Sequence, residues 1–323
     1  MCRPASRRAR PAYAVGVRRI PPIVLGAILA AGLAFGAPAA ASATTPTAAG
    51  CQRALVPGDQ TVTISSGGLT RTALVHIPAR APAKLLPVVV ALHGAAQNGA
   101  FFAGYTGFSA IADAENFIVV YPDALPAASF RDRPFWNISS SDPGAPDDVR
   151  FVSDLLDDLH RTACTNPLRV FATGVSNGAS MTARLGCELS RRFAAIAPVS
   201  GGYGAQPACT PVRPVSVLEI HGLLDPIVPY AGLAPAAAGA VRPFVGRWLT
   251  WDGCAVSPAG RVIAPRVMRL EWNGCHAGAA VWHLRITGGG HQLPGGDPPD
   301  SGPAATFDAP WAIWDFFRTH GRG

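Results

Sequence analysis

Apolar and polar residues alternate in Thr61-Val62-Thr63-Ile64 and again in Thr72-Ala73-Leu74-Val75-His76-Ile77, on either side of Ser66-Gly67-Gly68. This period of two predicts an antiparallel hairpin with one buried face. The pattern then changes. Val88-Val89-Val90-Ala91-Leu92 and Phe117-Ile118-Val119-Val120-Tyr121 are unbroken apolar runs, as expected of parallel strands covered on both faces. Leu168–Ala172, Ala194–Val199 and Val215–Ile220 read as further strands. Between them the apolar period lengthens to that of a helix. It does so near Phe108–Asn116, from Asp147 and Asp148 through Val152, Leu155, Leu156 and Leu159, and over Ala179–Glu188. A helix near Phe244–Trp251, strands near Val267–Trp272 and Val281–Ile286, and an aromatic helix over Trp311–Phe317 complete the alternation. The order predicts an α/β fold with a doubly wound, mostly parallel sheet and an antiparallel N-terminal hairpin.

One stretch breaks this rhythm. Pro122–Pro146 holds several prolines with Phe130, Phe135 and Trp136 and shows no periodicity. A long irregular insert of this kind is usually functional, and it predicts the rim or lid of a pocket. Asp147 and Asp148, which follow it, suit a helix N-terminus and read as structural carboxylates.

Composition adds a compartment. The chain has 323 residues, 49% hydrophobic and 15% charged, enough for one well-packed domain with appendages. Its formal charge of +7 falls to +1 without the six arginines Arg3, Arg7, Arg8, Arg10, Arg18 and Arg19, which removes the argument for a nucleic-acid partner. Those arginines belong to a leader: a basic stretch to Arg19, an apolar run over Ile23–Phe35, and small residues through Ala41-Ser42-Ala43. This is the layout of a signal peptide over residues 1–43, its apolar run too short and alanine-rich to span a membrane comfortably. A mature N-terminal segment over 44–60 and a single domain over 61–323 are expected to follow. Ala48-Ala49-Gly50-Cys51 loosely resembles a lipid-attachment site but lies far from the apolar run.

Past the leader six cysteines remain, with no C-x-x-C pair, which reads as disulfides formed in an oxidising compartment. Loop lengths favour Cys187–Cys209 and Cys254–Cys275, leaving Cys51–Cys164. Neither a metal-ligand spacing nor a dinucleotide fingerprint is present, so no metal or organic cofactor is expected.

The chemistry centres on Gly174-Val175-Ser176-Asn177-Gly178, set between a predicted strand and a predicted helix. In that context G-x-S-x-G forms a nucleophile elbow: the serine sits in a strained turn, and Gly174 and Gly178 leave room for it. A serine hydroxyl needs a base to take its proton and an acid to orient that base. In chain order, the first acid at a strand end after Ser176 is Asp225, with Asp252 next. Among the later histidines His283 lies inside a strand, His276 follows a cysteine, and His320 ends the last helix. His291, preceded by Gly288-Gly289-Gly290 beyond a strand, is the expected base. Backbone amides of Asn177 and of Ala95, in the His93-Gly94-Ala95-Ala96 turn, are expected to form an oxyanion site.

These residues resemble a known family, the secreted α/β-hydrolase esterases grouped as polyhydroxybutyrate depolymerases and feruloyl esterases. The motifs are Leu92-His93-Gly94, Gly174–Gly178, Ile220-His221-Gly222 with Asp225-Pro226-Ile227-Val228-Pro229-Tyr230, and Gly290-His291 with Pro294-Gly295. The resemblance implies the α/β-hydrolase fold, a Ser176–Asp225–His291 triad, an acyl-enzyme, and a small or polymer-derived ester as substrate; no protein partner can be inferred from the sequence. Leu293 stands where relatives often carry an aromatic, which implies a changed acyl or leaving-group wall. No linker or binding domain follows the motifs, which favours soluble or accessible esters. A serine peptidase, an acyltransferase, or a non-catalytic binding protein on the same fold are the alternatives.

Overall fold

The hairpin is the first element of the chain's structure: β1 (Gly58–Ser66) and β2 (Leu69–Ile77) pair antiparallel across Gly67 and Gly68, both at positive φ. In this computed structural model the described residues are 56–80, 85–139, 144–204, 206–232, 240–296 and 307–322, all within the unit Thr45–Gly323. The expected leader, its cleavage site and Cys51 lie outside them. After β2 come β3 (Leu86–Leu92), α1 (Gly99–Thr106), α2 (Phe108–Glu115) and β4 (Ile118–Pro122). Two-residue strands β5 (Pro126–Ala127) and β6 (Arg133–Pro134) follow, then α3 (Asp148–Thr162), β7 (Thr165–Val175), α4 (Asn177–Glu188), β8 (Ala195–Val199) and β9 (Ser216–Gly222). The chain closes with α5 (Val241–Trp251), β10 (Ala259–Ala264), β11 (Val267–Trp272), β12 (Val281–Ile286) and α6 (Ala309–Thr319).

Ten of these strands form one sheet in the order β1-β2-β4-β3-β7-β8-β9-β12-β11-β10. The six from β4 to β12 in that order run parallel, and β1 and β2 are antiparallel at one edge, the fold expected. The other edge corrects the expectation: β11 and β10 are also antiparallel, so Val267–Trp272 adds to a second meander instead of continuing the parallel alternation. The period of two within β3 divides the core. Val88, Val90 and Leu92 point to one face with α3, α4 and α5, whereas Val89 and Ala91 point to the other with α1, α2 and α6. On that second face Phe317 stacks on Phe171 at 4.7 Å and Trp314 on Phe117 at 3.9 Å.

Asp147 and Asp148 take different tasks. The Asp147 carboxylate caps α3, accepting from the Arg150 amide at 2.9 Å. Asp148 is the first residue of α3, a helix-terminus carboxylate as expected, and has a further partner. It is buried in a 2.7 Å ion pair with Arg71 of β2, whose guanidinium stacks on Phe151 at 3.8 Å. Its other oxygen accepts from the Asn137 amide at 2.8 Å, which ties hairpin, insert and α3 together. Cys187–Cys209 and Cys254–Cys275 are disulfides, as their spacing suggested. The expected Cys51–Cys164 pairing falls outside the described residues.

Candidate active site

All four loops expected to carry the chemistry leave the C-terminal ends of parallel strands, β3, β7, β9 and β12, on one edge of the sheet. Between β7 and α4 the chain makes a sharp turn. Ser176 takes φ 58° and ψ −119°, a strained conformation for a residue with a side chain, and its amide donates to the Val199 carbonyl at 3.0 Å. The turn is possible because its neighbours lack side chains. A Cβ on Gly174 would stand 2.6 Å from the Gly178 carbonyl and 2.8 Å from that of Leu92. One on Gly178 would strike the Leu92 and His93 carbonyls.

Asn177, next in the chain, is engaged through its side chain with the backbone of Trp136. Its Oδ1 accepts from the Trp136 amide at 2.7 Å and its Nδ2 donates to the Trp136 carbonyl at 3.2 Å. Trp136, fully buried, donates its indole N–H to the His93 carbonyl at 2.9 Å. His93 takes the Ala124 amide on Nε2 at 3.0 Å, so Nδ1 carries the proton and donates to the Gly94 carbonyl at 2.7 Å. Burial lowers its pKa against that carbonyl, and this histidine holds the turn as a neutral ring. Within the turn the Gly94 and Ala96 amides are bonded to Gln97 Oε1 and the Pro134 carbonyl, whereas the Ala95 amide has no acceptor among the described residues. Ala95, Ser176 and Asn177 line one cavity of about 420 Å³. Phe130 and Phe135, stacked at 4.7 Å, and Ile138 form part of its wall, so the irregular insert is the rim of a pocket, as expected.

Asp225 follows β9. Its Oδ1 accepts from the Ile227 and Val228 amides at 2.9 and 2.8 Å, so it builds its own turn. Its Oδ2 meets His291 Nδ1 at 2.8 Å. Burial opposes its charge, but His221, His291 and the Val228 amide outweigh that and hold the carboxyl well below the usual carboxylate range. The two loops are joined directly, the Leu224 amide donating to the Gly289 carbonyl at 2.9 Å. The Leu293 amide donates to the Tyr105 hydroxyl at 3.0 Å. Leu293 itself is buried in the core beneath the loop and forms no wall of this cavity, contrary to the expectation.

The remaining candidates are elsewhere. Asp252 is buried at the C-terminus of α5, accepting from the Val215 amide at the N-terminal end of β9, the far edge of the sheet. His276 neighbours it, and His320 closes α6 on the Phe316 carbonyl at 2.7 Å. Among the described residues no cluster of three or more His, Cys, Asp or Glu could hold a metal ion.

The sequence placed His221 in the Ile220-His221-Gly222 motif without a role of its own and did not single out Glu219. Glu219, wholly buried in β9, receives the Tyr203 hydroxyl at 3.1 Å and His221 Nδ1 at 3.0 Å on Oε1, and His283 Nδ1 lies 2.7 Å from Oε2. The far nitrogen of His221 donates to the Val228 carbonyl at 2.9 Å and stands 3.4 Å from Asp225 Oδ2. Beside that motif, the signal was two ionisable residues inside a largely apolar strand, at spacing two and therefore on one face.

A family described as Esterase PHB depolymerase matches residues 71–232, which include the elbow and Asp225. The chain belongs to that family. It is 29% identical over 321 residues to a protein named as an esterase, NocK, of Nocardia uniformis subsp. tsuyamanensis, covering 88% of this chain and 92% of NocK. It is 31% identical over 172 residues to feruloyl esterase B of Piromyces equi, covering 48% of this chain but only 31% of that protein's length. Among solved structures, the acetyl xylan esterase of Aspergillus awamori superposes with a TM-score of 0.54 at 16% identity, over 73% of this chain and 95% of that one, a likeness of fold. The chain is thus an α/β-hydrolase and a carboxylic ester hydrolase.

Proposed function

We propose that this esterase works by a Ser-His-Asp triad through an acyl-enzyme. Ser176 Oγ attacks the ester carbonyl carbon while His291 Nε2 takes the hydroxyl proton, and Asp225 holds the imidazole through Nδ1. The C–O bond to the alcohol breaks as His291 returns the proton to the leaving oxygen. Water, deprotonated by the same imidazole, then attacks the acyl-serine, and the acid leaves as Ser176 regains its proton. Negative charge on the carbonyl oxygen is held by the amides of Asn177 and Ala95. The observation that carries this reading is the His291–Asp225 pair at 2.8 Å on the same C-terminal edge of the parallel strands as a serine held at φ 58° on a strand–helix elbow.

The cleft favours an ester with a flat or short apolar acyl group. Its wall near Ser176 is formed by stacked Phe130 and Phe135 with Ile138, and by Ile227 and Val228 opposite. A hydroxycinnamoyl ring fits such a wall by stacking, and feruloyl esters are therefore the substrate class we favour. Leu224 and Ile227, 70% and 66% exposed on the Asp225 loop, favour a second reading in which an accessible polyester chain lies across the rim. Export is proposed on the leader over residues 1–43 and on the two disulfides, which suit an oxidising compartment.

Hydrolysis of methyl ferulate, short p-nitrophenyl esters and hydroxybutyrate oligomers, beside a Ser176→Ala control, tests this reading. We expect methyl ferulate to lead, and Ser176→Ala to lose several orders of magnitude in rate. Equal turnover of every ester would remove the aromatic preference. A Ser176→Ala protein that keeps its rate would overturn the triad.

A further inference from the structure

Glu219 and His221 of β9, His283 of β12 and the following-loop residues Asp225 and His291 form a connected cluster, and donor–acceptor accounting gives the charges at its centre. His221 Nδ1 faces Glu219 Oε1 at 3.0 Å, and Nε2 faces the Val228 carbonyl at 2.9 Å with Asp225 Oδ2 at 3.4 Å. All three are acceptors, so both ring nitrogens must donate and His221 is an imidazolium. Glu219 Oε1 receives the Tyr203 hydroxyl and His221, and Oε2 faces His283 Nδ1 at 2.7 Å, a nitrogen that also faces the Glu219 carbonyl at 3.3 Å and therefore donates, so both oxygens of the carboxylate are met by donors. Both side chains are fully shielded from water, where opposite charges depend on each other and an unpaired one is costly. Burial alone would strip the proton from His221, but Asp225 and Glu219 reverse this and raise it to about 10; Glu219, whose burial would push it up, is held at about 2 by His221 and His283.

We infer that His221 is a positioning residue for ester hydrolysis: kept cationic by Glu219, it holds the Asp225 carboxylate from the side opposite His291 and draws off part of its charge, so the enzyme keeps its free base, and its activity, to lower pH. The inference rests on the triad proposed above. Asp225 Oδ2 is shared between the two rings, at 2.8 Å from His291 and 3.4 Å from His221. Charge that stabilises one imidazolium is partly spent on it and less available to the other, and the two cations repel as well.

The groups facing His221 are few. On its own strand there is Glu219; on the following loop Asp225, with the Tyr230 ring edge-on at 5.9 Å. From β12 comes His283, hydrogen-bonded to the Tyr230 hydroxyl at 2.9 Å, and after β8 comes Tyr203. Arg285, two residues after His283 on β12, is the cross-strand partner of His221 and has its guanidinium 5.9 Å from the Tyr230 ring, so it is a second cation on this face; Arg242 acts on Tyr230 and Arg247 on Tyr203.

The test is the pH profile of kcat/KM for phenyl acetate with the full chain and two variants, His221→Gln and Glu219→Gln/His221→Gln, the second removing both buried charges together. The acid limb should move up by about one pH unit in both, so that kcat/KM one unit below the wild-type limb falls about tenfold and the alkaline plateau much less. A folded variant with an unmoved limb, or with a loss equal at all pH, overturns the inference, because a merely structural residue would give that. If neither variant folds, ¹⁵N spectra of the wild-type histidines decide: His221 doubly protonated at pH 8 is expected, and a neutral ring at pH 7 overturns it. Failure of the triad is seen separately, as a His291→Ala protein that keeps its activity.

Discussion

Asn177 and Trp136 exchange two hydrogen bonds, Oδ1 accepting from the Trp136 amide at 2.7 Å and Nδ2 donating to its carbonyl at 3.2 Å. The residue after the elbow serine thus holds the rim of the cleft by its side chain while its backbone amide stays with the elbow. Asn177→Ala keeps that amide but strands two buried polar groups of Trp136, at about 1–3 kcal/mol. We expect a matching loss in urea unfolding and a rise in KM with a smaller change in kcat. An equal loss of kcat with KM unchanged would place the side chain in the chemistry instead.

The elbow glycines are a steric requirement. Gly174→Ala brings a Cβ to 2.6 Å from the Gly178 carbonyl, backbone that cannot swing aside. The expected result is a loss of more than about 3 kcal/mol or failure to fold, read by thermal unfolding and soluble yield. Wild-type stability in Gly174→Ala would contradict the turn described.

Arg71 and Asp148 form a pair with both side chains 1% exposed. Removing one partner leaves a buried charge, so Asp148→Asn should cost about 3–5 kcal/mol, whereas Arg71→Met with Asp148→Leu should recover much of that. Chemical denaturation of the singles and the double, as a cycle, measures it.

Asp252 makes stability depend on pH. It is wholly buried, one oxygen bonded to the Val215 amide and the other without a hydrogen-bond partner among the described residues, and burial raises its carboxyl to about 7. A folded-state value above the unfolded one means the folded state binds the proton more tightly. The stabilisation is therefore full below the ordinary carboxylate value of about 4 and is lost as pH rises through about 7. Asp252→Asn should flatten this, gaining stability over the wild type at pH 8 and little at pH 4 in thermal melts. An equal change at both pH values would contradict it.

The two disulfides close loops with separations of 22 and 21 residues. Loops of that size are worth about 3 kcal/mol each through the unfolded chain. Cys187→Ser with Cys209→Ser should lose about that much, measured against the oxidised wild type; a null effect would mean the helix and loop are held without the bridge.

Much of the fold was legible because burial writes itself into periodicity. β11 and β12 lie where their apolar residues predicted, and the elbow followed from glycines set between a strand and a helix. The misses have physical causes. α1 carries no apolar stripe, since Phe101 is exposed while Phe102 is buried and two glycines interrupt it. β10 is an edge strand with exposed residues, so burial left no mark on it. In the site, chain order was enough to choose Asp225 and His291, 66 residues apart. It could not show that Asp148 meets Arg71 across 77 residues, or that His221 and Glu219 stand beneath Asp225, because those partnerships exist only once the strands are side by side.

The central claim is that Ser176 is the nucleophile, and the most direct measurement is stoichiometric reaction with a fluorophosphonate followed by peptide mass spectrometry. One adduct per chain is expected, on the peptide carrying Ser176, rising in step with loss of esterase activity. An adduct on another serine with the same loss, or complete inactivation with Ser176 unmodified, would contradict it.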